Sequence, residues 1–328
     1  MIDFQKNCPR SHPETLNNGD IMKRIALIAS VLLILFSCAC THAENPYDAD
    51  TASFYSESSQ NTVENTDHNT ASDLKIIIGD VGKADFILLS CNGEYAVIDC
   101  GYKSNYDYIE ELLLSEGVKE LKYAIGTHPD KDHIGSMAKL IKNFKVEQLY
   151  ISPLASDSDE YEKMIKRAND KGVPVVTASP NDVLALGSAY LTTYCPTKEL
   201  IALNDENEAS VVQMLSFGSF RMLFMADGQF VCESVLLNSE FDLSADIIKI
   251  AHHGSNKSSS RSFLEAVGAK YAVISAADTK DEEFPSDKVI KTLSSLGIQT
   301  YRTDTDGAIV INVNSNGFNI ERGYTVHE

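Results

Sequence analysis

Residues 127–135 constrain this chain more than any other stretch of its sequence. They directly follow an apolar run at 123–125 and directly precede a helix-like run at 137–141. A loop between a strand and a helix presents its side chains at the edge of a sheet. This loop holds two imidazoles and two carboxylates within six positions: His128, Asp130, Asp132 and His133. Such ligands suit divalent metals such as Zn, Mn or Fe, whereas an acidic helix start would explain only the aspartates.

The remaining histidines of the body strengthen the prediction of a metal site. Between residues 74 and 326 the chain has four histidines, in two loops: His128, His133, His252 and His253. Each loop directly follows an apolar run, and Asp227 occupies the same kind of position after Phe224-Met225. Ligand residues at several strand ends are what a site along one sheet edge requires.

Turn signals between apolar runs predict how the strands pair. Asn92-Gly93 separates two apolar runs and is typical of a type I′ hairpin. Further hairpins are predicted around Gly218-Ser219 and near residues 314–317. Amphipathic helices are interspersed, and the first half is richer in strands than the second. The pattern predicts two sheets with helices outside them, a layered α/β (α+β) body.

The overall charge limits the substrates that we expect. The chain carries 47 acidic and 28 basic residues, for a formal net charge of −19. Because proteins that grip long nucleic acids need a basic face, we expect no stable complex with a long strand. A small molecule or a short nucleic acid is the expected substrate. The seven cysteines form no CxxC pair, which indicates neither a thiolate zinc site nor a disulfide scaffold.

The first forty residues predict export. Met22-Lys23-Arg24 precedes an apolar run at 25–36, which is typical of a secretory signal over residues 22–37. Leu35-Phe36-Ser37-Cys38 resembles the bacterial lipobox, in which the cysteine becomes lipid-modified. We therefore expect Cys38 to anchor the protein to the outer face of the bacterial cytoplasmic membrane, with an uncleaved anchor as the alternative. Residues 1–21 are interpreted as an upstream mis-start.

A polar segment follows the predicted lipid anchor. Residues 41–73 carry seven acids and no Lys or Arg. Such a composition buries too little apolar surface to order itself, so residues 38–73 are predicted to be a disordered tether. The folded body is predicted to cover residues 74–328.

Five motifs in this order resemble the metallo-β-lactamase fold superfamily, and more closely the metallo-hydrolase domain of ComEC-type competence proteins. The motifs are Asp80-Val81-Gly82, Asp99-Cys100-Gly101, the histidine–aspartate stretch at 128–133, Asp227, and His252-His253-Gly254-Ser255. The resemblance covers nearly all of residues 74–328. It implies a four-layer αββα sandwich with one or two divalent ions, Zn or Mn, at the sheet edges.

The resemblance also implies a ligand set. It places His128 and Asp130 on one metal, Asp132 and His133 on a second, with Asp227 as the bridging carboxylate and His253 as the last imidazole. The superfamily commonly has His where Asp130 stands. Its usual third histidine aligns with residues 204–210, which contain none, and Asn207 or a water would fill that place.

Two further residues are assigned supporting roles. Asp99 is interpreted either as orienting a ligand or as closing a hairpin-end turn, with equal weight. His252 is expected either to contact and orient a metal ligand without binding the metal itself, or to face the substrate. Family members often carry His before Pro285, where this chain has Phe284.

The expected chemistry is hydrolysis of an ester, with a phosphodiester favoured. A metal lowers the pKa of water from about 15.7 to about 7, which supplies hydroxide at neutral pH. Asp132 is the expected catalytic residue that takes the proton of the attacking water. Ser255, Lys257 and Arg302 are candidate phosphate contacts, although the first two also fit an ordinary polar loop. The alternatives are a lactone or lactam hydrolase and a non-catalytic metal-binding module of the same fold.

Overall fold

The computed structural model describes residues 73–277 and 284–325. The strands within these ranges are β1 (Leu74–Ile78), β2 (Phe86–Cys91), β3 (Glu94–Cys100), β4 (Glu120–Gly126), β5 (Lys145–Ile151), β6 (Val175–Thr177), β7 (Val183–Leu186), β8 (Ala189–Cys195), β9 (Val212–Phe217), β10 (Phe220–Phe224), β11 (Ile247–Lys249), β12 (Tyr271–Ile274), β13 (Gln299–Arg302), β14 (Ala308–Asn314) and β15 (Gly317–Tyr324). The α-helices are α1 (Tyr106–Ser115), α2 (Lys131–Ile134), α3 (Met137–Asn143), α4 (Asp159–Lys171), α5 (Lys198–Ala202), α6 (Phe230–Leu237), α7 (Arg261–Val267), α8 (Asp287–Ser295) and α9 (Thr303–Asp306). Short 3₁₀ turns cover Lys103–Asn105 and Ala251–Gly254.

The strands form two sheets that pack face to face. The first sheet has eight strands in the order β15-β14-β1-β2-β3-β4-β5-β6, and the second has seven in the order β13-β12-β11-β10-β9-β8-β7. Strands β3 to β6 run parallel in the first sheet, and β10 to β13 run parallel in the second. The carboxyl ends of neighbouring parallel strands lie at the same edge, so the loops that follow them gather there.

Alternation along β1 shows how the layers are built. Ile76 and Ile78 enter the core between the sheets, whereas Ile77 faces the opposite side, because successive side chains of a strand point to opposite faces. Leu191 and Met222 of the second sheet complete the core between the sheets. These strands are apolar on both faces because both faces are covered.

Helices cover the outer face of each sheet. Helices α1, α3 and α4 pack their apolar residues on the first sheet. Helices α6, α7 and α8 do the same on the second sheet. The predicted four-layer αββα sandwich is confirmed.

The predicted hairpins are present, with one strand missed. Asn92 and Gly93 have φ values of 54° and 77°, as a type I′ turn requires. The hairpins β9–β10 and β14–β15 lie where Gly218-Ser219 and residues 314–317 predict them. Strand β7 was not expected from the sequence, because it is a short edge strand with Val183 56% exposed.

Several predictions concern residues outside the described ranges. The mis-start, the signal peptide, the lipidated Cys38 and most of the acidic tether all precede residue 73 and stay predictions. In residues 73–277 and 284–325, the helices are too short or too polar for any of them to span a bilayer.

Candidate metal centre

Four loops, two from each sheet, bring the candidate ligands to one point between the sheets. Asp99 ends β3, and the stretch at 127–133 follows β4 in the same sheet. Asp227 follows β10, and the 3₁₀ turn Ala251–Gly254 follows β11 in the second sheet. The strand ends meet here because each pair of loops leaves the same edge of its sheet.

One cluster of ligand atoms is compact. Asp132, His133 and His253 each offer an atom, and these atoms lie within 4.8 Å of one another. His253 Nε2 is 3.5 Å from Asp132 Oδ2, and His133 Nε2 is 3.4 Å from Asp227 Oδ1. Two ligands at 2.0–2.2 Å from one tetrahedral ion stand about 3.4 Å apart, so this spacing suits a shared metal. We call this cluster the second metal position.

A neighbouring cluster uses the other oxygen of Asp227. His128 Nε2 lies 3.7 Å from Asp227 Oδ2 and 3.6 Å from Asp130 Oδ2. We call this the first metal position. Oδ1 of Asp227 faces His133 and Oδ2 faces His128, so the carboxylate would be able to contact an ion in either position, as the resemblance implies. The ligands that the resemblance implies are therefore brought together.

Hydrogen bonds behind the ligands set their tautomers. His133 Nδ1 lies 2.7 Å from Asp99 Oδ2, and His253 Nδ1 lies 3.2 Å from the Ser275 carbonyl oxygen. A carboxylate or carbonyl oxygen accepts only, so Nδ1 carries the proton in both rings. The Nε2 lone pair of each ring is then free to bind a metal.

His128 is oriented in the same way through Thr127. The Thr127 hydroxyl donates to Asp99 Oδ2 over 2.7 Å, and the Thr127 amide donates to Asp99 Oδ1 over 2.9 Å. The hydroxyl oxygen therefore accepts from His128 Nδ1, which is 3.1 Å away. Asp99 thus orients two imidazoles, and it also adopts the left-handed turn conformation, with φ 58°. Both interpretations of Asp99 describe part of its geometry.

The ligand atoms themselves are buried without partners. Within the described residues, no hydrogen bond reaches four buried atoms, which are His128 Nε2, His133 Nε2, His253 Nε2 and Asp227 Oδ1. A buried polar atom left unsatisfied costs about 1–3 kcal/mol, so four such atoms facing one point call for a ligand. Three imidazole nitrogens and a carboxylate oxygen are a ligand set that fits a divalent cation. The residues present therefore fit the metal that the fold implies.

The carboxylates are held ionised. Burial raises the pKa of Asp227, but the surrounding imidazoles, His133 foremost, outweigh burial and lower it well below its ordinary value. Burial also raises the pKa of Asp132, but contact with His253 and the nearby His133 outweighs burial and lowers that pKa. Contact with His128 lowers the pKa of Asp130 to about 2. All three carboxylates are negative at neutral pH, as metal ligands must be.

A buried ion pair beneath the site was missed from the sequence. Lys249 Nζ lies 2.9 Å from Asp85 Oδ1, and both side chains are at most 2% exposed. Asp85 Oδ1 is also 3.9 Å from His253 Nδ1. A lysine inside the apolar run that ends at Ile250 was the available signal, because a buried lysine needs a partner.

The structure gives a local environment for each predicted substrate contact. Arg302 donates from Nε to Asp304 Oδ1 over 3.0 Å and from Nη2 to Oδ2 over 2.5 Å. Ser255 is buried, and Lys257 is exposed beside the start of α6, where its carbonyl accepts from the Phe230 amide. The roles of Arg302, Ser255 and Lys257 stay predictions.

An acidic cavity adjoins the first metal position. It has a volume of about 610 Å³ and is lined by Asp130, Asp157, Asp205, Glu206 and Asn207, among others. The amide oxygen of Asn207 is buried and finds no hydrogen-bond partner in the described ranges. Asn207 therefore lines the same cavity as Asp130, and its role as a ligand stays a prediction.

The sequence of this chain is similar to a known family and to curated proteins. The family model of the metallo-beta-lactamase superfamily matches residues 80–278. ComE operon protein 3 of Bacillus subtilis (strain 168) is 30% identical over 198 residues, which are 60% of this chain and 25% of that protein. Competence protein ComA of Neisseria gonorrhoeae is 31% identical over 119 residues, 36% of this chain and 17% of that one.

A solved structure has a similar outline. YhfI from Bacillus subtilis, a metallo-beta-lactamase fold protein, gives a TM-score of 0.49 at 12% identity, covering 74% of this chain and 99% of that chain. This chain spans a quarter or less of the two competence proteins. The family model matches more than half of the chain, and the predicted ComEC-like relationship is confirmed. The chain belongs to the metallo-beta-lactamase superfamily, a hydrolase-like fold that holds divalent metals.

Proposed function

We propose that this chain is an exported, lipid-anchored, metal-dependent hydrolase that cleaves phosphodiesters in small molecules or short nucleic acids. The observation that carries the proposal is the set of four buried, unpartnered ligand atoms at the junction of the two sheets. Two divalent ions, Zn or Mn, would be held there by His128, Asp130, Asp132, His133, Asp227 and His253. When bound, such ions supply hydroxide at neutral pH and stabilise negative charge on oxygen.

The residues around the metal positions would orient the ligands, accept a proton and exclude solvent. Asp99 fixes the imidazole tautomers through His133 and Thr127, so the ligand lone pairs need no rearrangement. Asp132 is 16% exposed and ionised, which leaves an oxygen able to accept a proton from attacking water. The two sheets exclude bulk solvent from the buried side of the site, which strengthens every charge interaction in it.

Charge around the mouth of the site supports a small substrate. The acidic cavity beside Asp130 repels a polyanion on that side. The formal charge of −19 disfavours long strands further. A single phosphodiester remains suitable because its charge grows on oxygens within reach of the cations.

Elemental analysis combined with phosphodiester turnover tests the proposal. The protein is purified with Mn and Zn present, and hydrolysis of bis(p-nitrophenyl) phosphate is measured. We expect turnover, and we expect Asp132→Ala to lose at least about 100-fold in kcat, the lower range for loss of general base catalysis. Asp170→Ala is the matched control, since Asp170 lies on the exposed end of α4 and pairs with Lys166.

Three outcomes would contradict the proposal. Full activity in Asp132→Ala would exclude the proton-accepting role of that residue. Turnover of lactones or lactams without phosphodiester turnover would favour the alternative substrate class. Less than one ion per chain would favour a non-catalytic module.

Membrane anchoring has its own test. The expressed precursor is separated into membrane and soluble fractions, with Cys38→Ala beside the wild-type chain. We expect wild type in the membrane fraction and the variant released from it. Membrane retention of Cys38→Ala would favour an uncleaved anchor instead.

A further inference from the structure

The first metal position has fewer ligands than its neighbour. The second position draws on Asp132, His133, His253 and one oxygen of Asp227. The first position draws on His128, Asp130 and the other oxygen of Asp227. His133 borders both positions, because its ligand atom also lies within 4.8 Å of those of His128 and Asp227. A site with three protein ligands keeps an open place for one further group, so the first position has room for another ligand.

His252 stands on the side of Asp227 that faces the first position. Its Nε2 lies 3.7 Å from Asp227 Oδ2, the same oxygen and the same distance as for His128 Nε2. His253, the next residue, faces Oδ1 of Asp227 instead, at 4.0 Å. The two consecutive imidazoles therefore divide between the two oxygens of one carboxylate.

An unusual backbone produces this division. His252 has φ 49° and ψ 49°, and His253 has φ 53° and ψ 24°, so both are left-handed. That conformation costs roughly 1–2 kcal/mol in a residue other than glycine, and two in succession are rare. The His252 amide donates to the Ala226 carbonyl oxygen over 2.9 Å, which fixes this turn to the loop of Asp227.

The ring of His252 is also held in place. Phe284 stacks on it, with ring centroids 5.9 Å apart and an interplanar angle of 17°. The Lys83 ammonium lies 4.4 Å from the centroid of the Phe284 ring.

We propose that His252 is a direct ligand of the metal in the first position, together with His128, Asp130 and Asp227. The proposal rests on the metal-dependent function above and goes beyond it, because it adds a ligand where residues 204–210 offer no histidine. It replaces the supporting or substrate-facing role expected from the sequence. Asn207 and Glu206, which line the adjoining cavity, are the competing ligands.

Metal titration of purified variants tests the proposal without any measurement of activity. Mn binding is followed by calorimetry, and bound Mn is examined by electron paramagnetic resonance. Wild type is expected to bind two ions that are magnetically coupled. His252→Ala is expected to keep the second ion, to lose the coupling, and to weaken the first ion by more than about 100-fold. Loss of a residue that only orients a ligand costs about 10–100-fold, so the size of the effect separates the two roles.

Matched variants complete the experiment. His253→Ala should remove the second ion and keep the first, which is the reverse of His252→Ala. Asn207→Ala and Glu206→Gln should retain both ions within about 10-fold of the wild-type affinity. His252→Gln, which keeps a side chain of similar size, is measured together with the urea midpoint, so that loss of metal is not confused with loss of folding.

The proposal is overturned if His252→Ala and His252→Gln retain two coupled ions near wild-type affinity. It is overturned equally if Asn207→Ala or Glu206→Gln releases the first ion instead. Wild type that binds one ion contradicts the two-position arrangement and this proposal with it. Wild type that binds two ions but cleaves no phosphodiester would contradict the proposed function alone.

Discussion

Asp99 shows how much of this site depends on a residue that does not itself face the metal positions. It accepts hydrogen bonds from the Thr127 amide, the Thr127 hydroxyl and His133 Nδ1. Through them it orients the imidazoles of both metal positions. One buried carboxylate therefore couples the loop after β3 to the ligands after β4.

We expect Asp99→Asn to weaken metal binding by about 10–100-fold, the usual cost of losing a group that orients a ligand. The physical reason is that an amide in place of the carboxylate no longer enforces the Nδ1–H tautomer of His133. Metal affinity measured by calorimetry checks this. Asp107→Asn, in the first turn of α1, is the matched surface control. An unchanged affinity in Asp99→Asn would show that the tautomers are set elsewhere.

The buried Asp85–Lys249 ion pair predicts that a single substitution will lower the stability of the fold. Asp85→Ala leaves the Lys249 ammonium buried without its partner, which typically costs about 3–5 kcal/mol of unfolding free energy. Urea unfolding in the presence of a chelator measures this apart from metal binding. The double variant Asp85→Leu with Lys249→Met should recover most of the loss, because a buried ion pair and an apolar pair are often equivalent.

The pH dependence of stability follows from the same pair. Burial raises the pKa of Asp85, but Lys249 and His253 outweigh it and bring the pKa below the ordinary 3.8. A carboxyl with a lowered folded pKa adds stability above its unfolded pKa and loses it as pH falls through the folded value. Wild type should therefore lose stability below pH 3.8 more steeply than Asp85→Asn. Parallel acid unfolding curves would contradict this.

The individual site residues could be predicted from the sequence to different degrees. His128, His133 and His253 were recognised because ligand types recur at strand ends. Asp85 and Lys249 were not, because the two partners are 164 positions apart and neither lies in a motif. Pairing at such a distance depends on how the sheets meet, which local spacing does not encode.

At the scale of elements, Glu208 joins the loop at 204–210 to the start of α6. Its carboxylate accepts from three backbone amides, those of Gln229, Val231 and Cys232, over 3.2, 3.2 and 2.8 Å. A negative charge at a helix N-terminus is favourable, and here it is buried. The contact places the wall of the acidic cavity against the loop that carries Asp227.

We expect Glu208→Gln to lower the unfolding free energy by about 1–2 kcal/mol, since the helix N-terminus loses its charge while part of the hydrogen bonding remains. Faster amide exchange in residues 204–210 and 229–232 should accompany the loss. Glu162→Gln is the control, because Glu162 lies in the first turn of an exposed part of α4. Equal exchange in Glu208→Gln and wild type would contradict the anchoring role.

Whether a segment forms a strand or a helix was easier to predict than which strands lie side by side in a sheet. The three predicted hairpins lie where apolar runs and turn residues indicated them. Strand β1 pairs with β14, with Leu74 opposite Val313. No local sequence pattern predicts this pairing. Long-range strand order follows from burying both faces of each sheet, which is a property of the whole chain.

At the scale of the molecule, metal binding should stabilise the entire sandwich, because the ligands come from both sheets. Binding to the folded state alone adds about 2.7 kcal/mol when the free ion is at 100 times its dissociation constant. Thermal unfolding with Mn or Zn, compared with chelator, checks this. The variant His133→Ala lacks a ligand of the second metal position, so its Tm should rise less with metal than the Tm of wild type does. A wild-type Tm that does not respond to metal would contradict binding that is specific to the folded state.

The direction of β1 determines where anything attached before it leaves the body. The strand begins at Leu74, which pairs with Cys91 beside the turn of the first hairpin. It ends at Ile78, and the chain then leads to Asp85, which contacts the ligand His253. At about 3.3 Å per residue, the two ends of the strand are some 13 Å apart. A tag or a solid support joined to Leu74 would therefore be attached at the end of β1 that is remote from the ligand loops. Immobilising the protein through that end leaves the mouth of the site open to dissolved substrates.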